Sequence, residues 1–252
     1  MKRRLFLAAA AWPLVARAGA DTPHWRARFL DGGFDGSDYW SGLAIDLDAG
    51  WKTYWRVPGD GGIPPQIDVT GANLKSAEVL FPLPSRFSDE SGNSIGYKEQ
   101  VIFPVKLVPV DVATPLEVSL AAFFGVCEDI CIPARSAATL RFSMSASAAG
   151  DAVVLAQWRD RVPVPAPDGP VRSAVAVTAA GKPALRLELS AVVDDIFASG
   201  ADTYYFHAPM LEAASATLAV SGARSVDELK GKAVRIVSVM RGKGLEQELV
   251  VR

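Results

Sequence analysis

The chain has 252 residues, with 26 Lys and Arg against 28 Asp and Glu, which gives a net charge of −2. This balance argues against a nucleic-acid partner, because binding to phosphates depends on an excess of lysine and arginine. A chain of this length forms one large or two small domains and builds ordinary hydrophobic cores without disulfide staples.

The first 20 residues are typical of a cleavable secretory signal peptide. Basic residues at 2–4 precede an apolar run at 5–16, and small residues at 18–20 offer a cleavage site. The apolar run is too short to cross a bilayer, which takes about 20 residues. We therefore predict a secreted protein without membrane insertion, in an oxidising compartment where disulfides persist. An uncleaved membrane anchor is the alternative.

Short alternating segments bounded by Gly, Pro, Asn and Asp predict strands in the first half of the chain. Many short strands with turn residues between them favour an all-β sandwich over alternating helices and strands. The predicted strands are 25–30, 39–48, 66–70, 77–83, 100–110, 116–126 and 138–144.

The pattern changes after residue 148. Residues 151–162 place apolar side chains at helical spacing, and the Pro-rich stretch 163–170 is typical of a stiff linker. Six strand patterns follow, at 171–179, 184–192, 203–209, 216–221, 233–239 and 245–251. We therefore predict a first β domain at 21–148, a helix and linker at 149–170, and a second, smaller β domain at 171–252.

Cys127 and Cys131 are the only cysteines in the chain. An extended strand would hold residues four apart at about 13 Å, which is too far for a disulfide. The pair can therefore bond only if residues 128–130 form a tight turn or close a hairpin. Pro133 fits such a turn because it restricts how the chain leaves it.

Three uses of the cysteine pair are open: a hairpin pin, a redox-active disulfide and a Cu(I) site. A five-residue loop is a weak staple, worth about 2 kcal/mol, which favours the redox-active pair. Two thiolates suit Cu(I), but His24 and His207 are distant in sequence and no Met lies within ten residues.

The acidic neighbours Glu128 and Asp129 disfavour a thiolate by charge repulsion. The pair is therefore predicted to start an exchange poorly, and to act as a relay that a more reactive partner thiol attacks. The alternative is that the two acids simply solvate a turn.

Two further stretches could shape a site. The aromatic and Gly/Pro-rich residues 50–67, with Trp51, Tyr54 and Trp55, either fill the core and a turn or form a docking surface beside the cysteines. The polar stretch 88–96 is predicted to be a mobile loop that either covers a redox site or is only surface, with a strand beginning at Tyr97.

The segments GWKTYWRVPGDGGIPP, GYKEQVIFPV and FFGVCEDICIPA occur in this order. Together they resemble the periplasmic N-terminal domain of the thiol:disulfide interchange protein DsbD, in the branch that includes ScsB, the suppressor of copper sensitivity. The resemblance covers most of residues 24–145 and implies an immunoglobulin-like sandwich with the cysteines near one end. The tail is similar to the second β module of ScsB-type proteins.

The resemblance implies a periplasmic electron shuttle in which Cys127 and Cys131 are the catalytic redox pair. It places Asp89 and Glu90 at the acidic start of a cap loop, where Ser91 and Gly92 replace the family's aromatic residues. Shielding of the disulfide then falls to another residue such as Tyr97. The residues predicted to shape the site are Glu128, Asp129, Pro133, Phe124, Tyr97, Asp89 and Glu90.

The resemblance implies protein partners and no organic cofactor. Electrons are expected from a membrane-embedded thiol reductase and to pass to periplasmic thioredoxin-fold or disulfide-isomerase-like proteins. The chain ends at Arg252 without the family's membrane and thioredoxin-like domains, so we expect one half of a split system. The alternative is a non-enzymatic periplasmic binding or assembly protein with a structural disulfide, which could bind Cu(I) through Cys127 and Cys131.

Overall fold

The computed structural model describes residues 24–89, 92–144, 149–200 and 204–252. The predicted signal peptide at 1–20 therefore lies outside the described residues. Strands dominate the described part of the chain, which has one α-helix and one short 3-10 helix. No helix in these ranges is long and apolar enough to span a membrane.

The first module is an immunoglobulin-like sandwich of two sheets. One sheet has the strand order β1-β2-β8-β5, and the other has β10-β9-β3-β7-β6 with β4 paired to β9. The ten strands are β1 (Trp25–Phe34), β2 (Tyr39–Leu47), β3 (Lys52–Gly59), β4 (Gln66–Ala72), β5 (Leu74–Val79), β6 (Ser85–Asp89), β7 (Gly92–Lys98), β8 (Gln100–Pro109), β9 (Leu116–Cys127) and β10 (Cys131–Phe142).

The core of this sandwich follows from the alternation of apolar residues along its strands. In β9, Leu116, Val118, Leu120, Ala122 and Phe124 are buried, and the residues between them are more exposed. Because successive strand residues point to opposite faces, this pattern places one face of β9 against the facing sheet.

The second module is a smaller sandwich, so the predicted all-β fold with two modules is confirmed. Its sheets have the orders β11-β19-β18-β14 and β12-β13-β17-β15, with β16 paired to β17. A 3-10 helix at Val226–Glu228 precedes β18. The strands are β11 (Val164–Pro165), β12 (Val171–Ala179), β13 (Lys182–Leu189), β14 (Asp195–Ser199), β15 (Tyr205–Phe206), β16 (Met210–Leu211), β17 (Ser215–Ser221), β18 (Ala233–Met240) and β19 (Lys243–Val250).

The segment between the modules packs on both of them. Helix α1 (Ala149–Arg159) lies on β1, β2 and β8, and Leu155 is buried where Gly32 and Gly42 leave room for its methyl groups. Strand β11 then pairs in parallel with β19. The helix and linker predicted at 149–170 are therefore parts of the two packed modules, while the domain limits themselves stay predictions.

A direct apolar contact joins the modules. Phe197 of β14 is buried in the core cluster of the first module, and its ring centroid lies 5.8 Å from that of Trp55 in β3. Beside it, Arg56 donates hydrogen bonds to Ser199 and Glu246 of the second module.

The prediction of a mobile loop at 88–96 is wrong for the residues of this stretch that the structure describes. Strands β6 and β7 form a hairpin there, with Phe87 opposite Ser94, and β7 also pairs with β3. Ser94 and Ile95 are buried, so packing against β3 outweighs the polar, turn-rich composition of this stretch.

Candidate functional site

The two cysteines face each other across the end of the β9–β10 hairpin. Cys127 is the last residue of β9, Cys131 is the first of β10, and the two are register partners. Their Cα atoms lie 4.2 Å apart, and a disulfide joins them. The prediction that a bonded pair needs residues 128–130 to close a hairpin is met by this geometry.

The two sulfur-bearing residues differ in exposure. Cys127 is only 1% exposed, because it continues the buried end of β9 and is the register partner of Lys52 in β3. Cys131 is exposed at the start of β10, which is the edge strand of its sheet. Cys131 is therefore the more accessible residue of the pair.

Tyr54 lies beside the exposed cysteine. Its hydroxyl oxygen is 3.3 Å from Cys131 Sγ, and the hydroxyl is the donor because a disulfide sulfur carries no hydrogen. Burial raises the pKa of Tyr54, and the negative charge of Asp89 raises it further, so the donor keeps its proton. Gly62, at φ +126°, lies against the ring, where an added Cβ would come within 2.4 Å of it.

A cavity of about 190 Å³ opens beside the disulfide. Four segments form its walls: β3, the loop before β4, the start of β7 and the cysteine hairpin. The lining residues are Lys52, Tyr54, Gly61, Gly62, Gly92, Asn93, Ser94, Cys127, Glu128, Asp129 and Cys131.

The cavity has one buried cation and an acidic rim. The Lys52 side chain is 4% exposed, and its Nζ donates to Asp89 Oδ2 at 2.5 Å. Glu128 and Asp129 are exposed in the hairpin loop. Asp60 precedes the lining residue Gly61 and accepts hydrogen bonds from the backbone and side-chain nitrogens of Asn93.

Comparison with known families agrees with this arrangement. Residues 26–143 match the family model described as "Thiol:disulfide interchange protein DsbD, N-terminal". The first module matches the model of the DsbD N-terminal domain almost from end to end. The predicted resemblance is thus confirmed, and the match supports a thiol-disulfide interchange family.

A solved structure extends the similarity over both modules. The chain is similar to the N-terminal periplasmic domain of ScsB from Proteus mirabilis, with 24% sequence identity and a TM-score of 0.70. The superposition covers 92% of this chain and 94% of that domain. No curated protein matches the chain.

Some predicted site residues of this DsbD-type domain do meet at the cavity. Glu128 and Asp129 line it, and Asp89 reaches it through Lys52. Glu90 lies outside the described residues. Pro133 is exposed in β10, opposite Gly125, and is not among the residues that line the cavity.

Two predicted site residues lie in the core instead. Phe124 is fully buried on the inner face of β9, with its ring 5.4 Å from that of Trp25. The Tyr97 side chain is also buried, and its hydroxyl donates to the Pro82 carbonyl at 2.7 Å. Closeness in sequence to the cysteines or the cap was misleading because alternation turns both side chains inward.

Lys52, Asn93 and Ser94 line the cavity but were not singled out from the sequence, although they lie in the stretches 50–67 and 88–96 that were possible parts of the site. Tyr54 was included in a possible docking surface beside the cysteines, and it does line the cavity. Trp51, Tyr54 and Trp55 are all buried. A signal for Lys52 was its place in the segment GWKTYW, where a lysine stands among closely spaced aromatic residues.

Within the described ranges, no group of three or more His, Cys, Asp or Glu side chains could hold a metal ion.

Proposed function

We propose that this protein is a periplasmic thiol-disulfide exchange protein. It relays electrons from a separate membrane-embedded thiol reductase to disulfides in thioredoxin-fold or disulfide-isomerase-like proteins. The observation that carries the proposal is the pairing of exposed Cys131 with buried Cys127 beside an open cavity. The match of the first module to the DsbD N-terminal family model supports it.

The exchange proceeds through two thiol-disulfide displacements. A partner thiolate attacks Cys131 Sγ, a mixed disulfide forms, and Cys127 leaves as a thiolate that takes up a proton. A second thiolate of the partner then attacks the partner sulfur that is bonded to Cys131, and Cys131 leaves as a thiolate that takes up a proton. The partner loses two electrons and becomes a disulfide, and the pair gains them as a dithiol.

The reverse sequence reduces a substrate. The Cys131 thiolate attacks the substrate disulfide, and Cys127 then displaces the substrate from the mixed disulfide. The exposed cysteine thus makes both intermolecular bonds, and the buried cysteine closes the ring from a position that no partner needs to reach.

The acidic residues beside the cavity favour one kind of partner. Glu128 and Asp129 disfavour a free thiolate at the hairpin and attract a partner whose own thiol is surrounded by positive charge. Such a partner carries the more reactive thiolate, in keeping with a relay that waits to be attacked.

The reduction potential of the Cys127–Cys131 pair tests the proposal. We expect a value between roughly −270 and −120 mV, the range of exchange proteins. The measurement is equilibration of the purified protein in thiol redox buffers, followed by acid trapping and alkylation of free thiols. A value below about −300 mV, typical of structural disulfides, would make the pair a hairpin pin and contradict the exchange function.

Tyr54 is expected to speed the attack by Cys131. Its hydroxyl lies within hydrogen-bonding distance of Sγ, and a hydrogen bond to a charged acceptor is worth about 1.5–3 kcal/mol. Tyr54→Phe removes the donor and should slow reduction of glutathione disulfide by the dithiol protein roughly 10-fold. Stopped-flow rates measure this, with Tyr204→Phe in the second module as the control. An unchanged rate in Tyr54→Phe would show that the hydroxyl does not assist the thiolate.

A further inference from the structure

The β6–β7 hairpin forms one wall of the disulfide cavity. Gly92, Asn93 and Ser94 at the start of β7 line this cavity together with Cys127 and Cys131. The distance between this wall and the cysteine hairpin therefore determines how much room a thiol has to reach the disulfide.

The inner side of the hairpin is fastened at the redox site. Asp89 at the end of β6 accepts a hydrogen bond from Lys52 Nζ, and Lys52 is the register partner of Cys127. Asn93 at the start of β7 donates two hydrogen bonds to Asp60, at 2.9 and 3.1 Å.

The outer side of the hairpin is fastened to the second module by Arg86. This residue stands three positions before Asp89 in β6, so the two side chains point to opposite faces of the strand. Its Nε donates to Asp195 Oδ2 at 3.1 Å, and its Nη2 donates to the Ile196 carbonyl at 2.6 Å. The guanidinium also lies 4.4 Å from the centre of the Phe197 ring.

The strand that receives Arg86 is firmly held. Strand β14 pairs with β18 from Asp195 to Ser199, and its Phe197 is buried in the core of the first module. Strand β6, in contrast, is the edge strand of its own sheet, and among the described residues it pairs with β7 alone. Strand β6 of the first module is thus held on its outer side by β14 of the second module.

There is room for the hairpin to move if this contact is lost. A cleft of about 430 Å³ separates it from the second module. Ser88, Asn93 and Ser94 line one side of the cleft, and Tyr205 and His207 line the other. Asn93 and Ser94 also line the disulfide cavity, so a displacement toward the cleft widens the cavity.

We infer that the second module holds the β6–β7 hairpin in place beside the Cys127–Cys131 disulfide through Arg86 and Asp195. The two are positioning residues that limit the access of thiols to the disulfide. The inference rests on the proposed exchange function, and it assigns the second module a part in controlling that exchange.

Asp195→Ala in the full-length oxidised protein tests this inference. The matched control is Glu246→Ala, which removes a second-module carboxylate from Arg56 of β3, at 2.8 Å, without touching the hairpin. We expect the second-order rate constant for reduction of the disulfide by dithiothreitol to rise roughly 10-fold in Asp195→Ala. The control should stay within about twofold of the unmodified protein, as expected for a contact outside the hairpin.

Three further variants exclude a general loss of structure as the cause. Asp195→Glu restores the charge and should restore most of the slow rate. Arg86→Met removes the contact with Asp195 together with the hydrogen bond to the Ile196 carbonyl. Its effect should therefore be at least as large as that of Asp195→Ala, and adding Asp195→Ala to it should change the rate little. Thermal unfolding midpoints are recorded for every variant, and Arg86→Met carries the test if Asp195→Ala does not fold.

Two results would overturn the inference: an unchanged rate in Asp195→Ala and Arg86→Met, or an equal increase in Glu246→Ala. Failure of the exchange function would appear in the reduction potential instead. A low reduction potential with a rate that still responds to Asp195→Ala would refute exchange while leaving the positioning role intact.

Discussion

A protein that keeps only Cys131 is expected to react with glutathione disulfide roughly 100-fold faster than one that keeps only Cys127. Cys131 is exposed at the start of an edge strand, whereas Cys127 is 1% exposed. Reaction at Cys127 requires local opening of the hairpin, and an opening free energy of about 3 kcal/mol corresponds to this ratio.

The measurement uses Cys127→Ser and Cys131→Ser, each incubated with glutathione disulfide and followed by intact mass. Cys127→Ser should accumulate a stable mixed disulfide, because the thiol that would resolve it is gone. Both variants lose the same bond and gain the same hydroxyl, so each is the structural control for the other. Equal rates, or a faster Cys131→Ser, would show that the order of attack is reversed.

Phe197→Ala is expected to destabilise the first module although the residue belongs to the second. The Phe197 side chain is 3% exposed and lies in the core cluster around Trp55. Truncation of a buried phenylalanine costs about 3–5 kcal/mol. The loss should appear in the unfolding of the first sandwich, because that is where the cavity forms.

Tryptophan fluorescence separates the two modules in this experiment. Residues 171–252 contain no tryptophan, so the signal reports on the first module and helix α1. In urea titrations, the midpoint should fall clearly in Phe197→Ala and stay unchanged in Val192→Ala, whose side chain is 77% exposed. A normal midpoint in Phe197→Ala would mean that the first module does not depend on the second for its stability.

Much of the fold could be predicted because apolar and polar residues alternate along a strand when one of its faces is buried. The segments 39–48, 100–110 and 116–126 were assigned this way, and they became β2, β8 and β9. Strands β6, β7 and β14 were missed. Their residues include Ser, Asp, Asn and Gly, and they are extended because they pair with neighbouring strands that a local pattern does not reveal.

The candidate site was predictable only where reactive residues lie close together in the sequence. The cysteines and the acids between them share one hairpin, so their proximity followed from the chain itself. Lys52 and Asn93 come from β3 and β7, which reach the cavity through sheet pairing across long stretches of sequence. Arg86 and Asp195 meet across the module boundary, and neither residue belongs to a recognisable motif.

The hairpin that carries the cysteines has a consequence for turnover. Strands β9 and β10 pair continuously from Cys127 and Cys131 to Leu116 and Phe142, and β9 is also paired along its other edge with β4. Opening the bond at the tip therefore leaves the surrounding ladder intact. In the proposed exchange, electrons are therefore gained and lost with little reorganisation of the backbone, and the cycle should be limited by encounters with partners rather than by refolding.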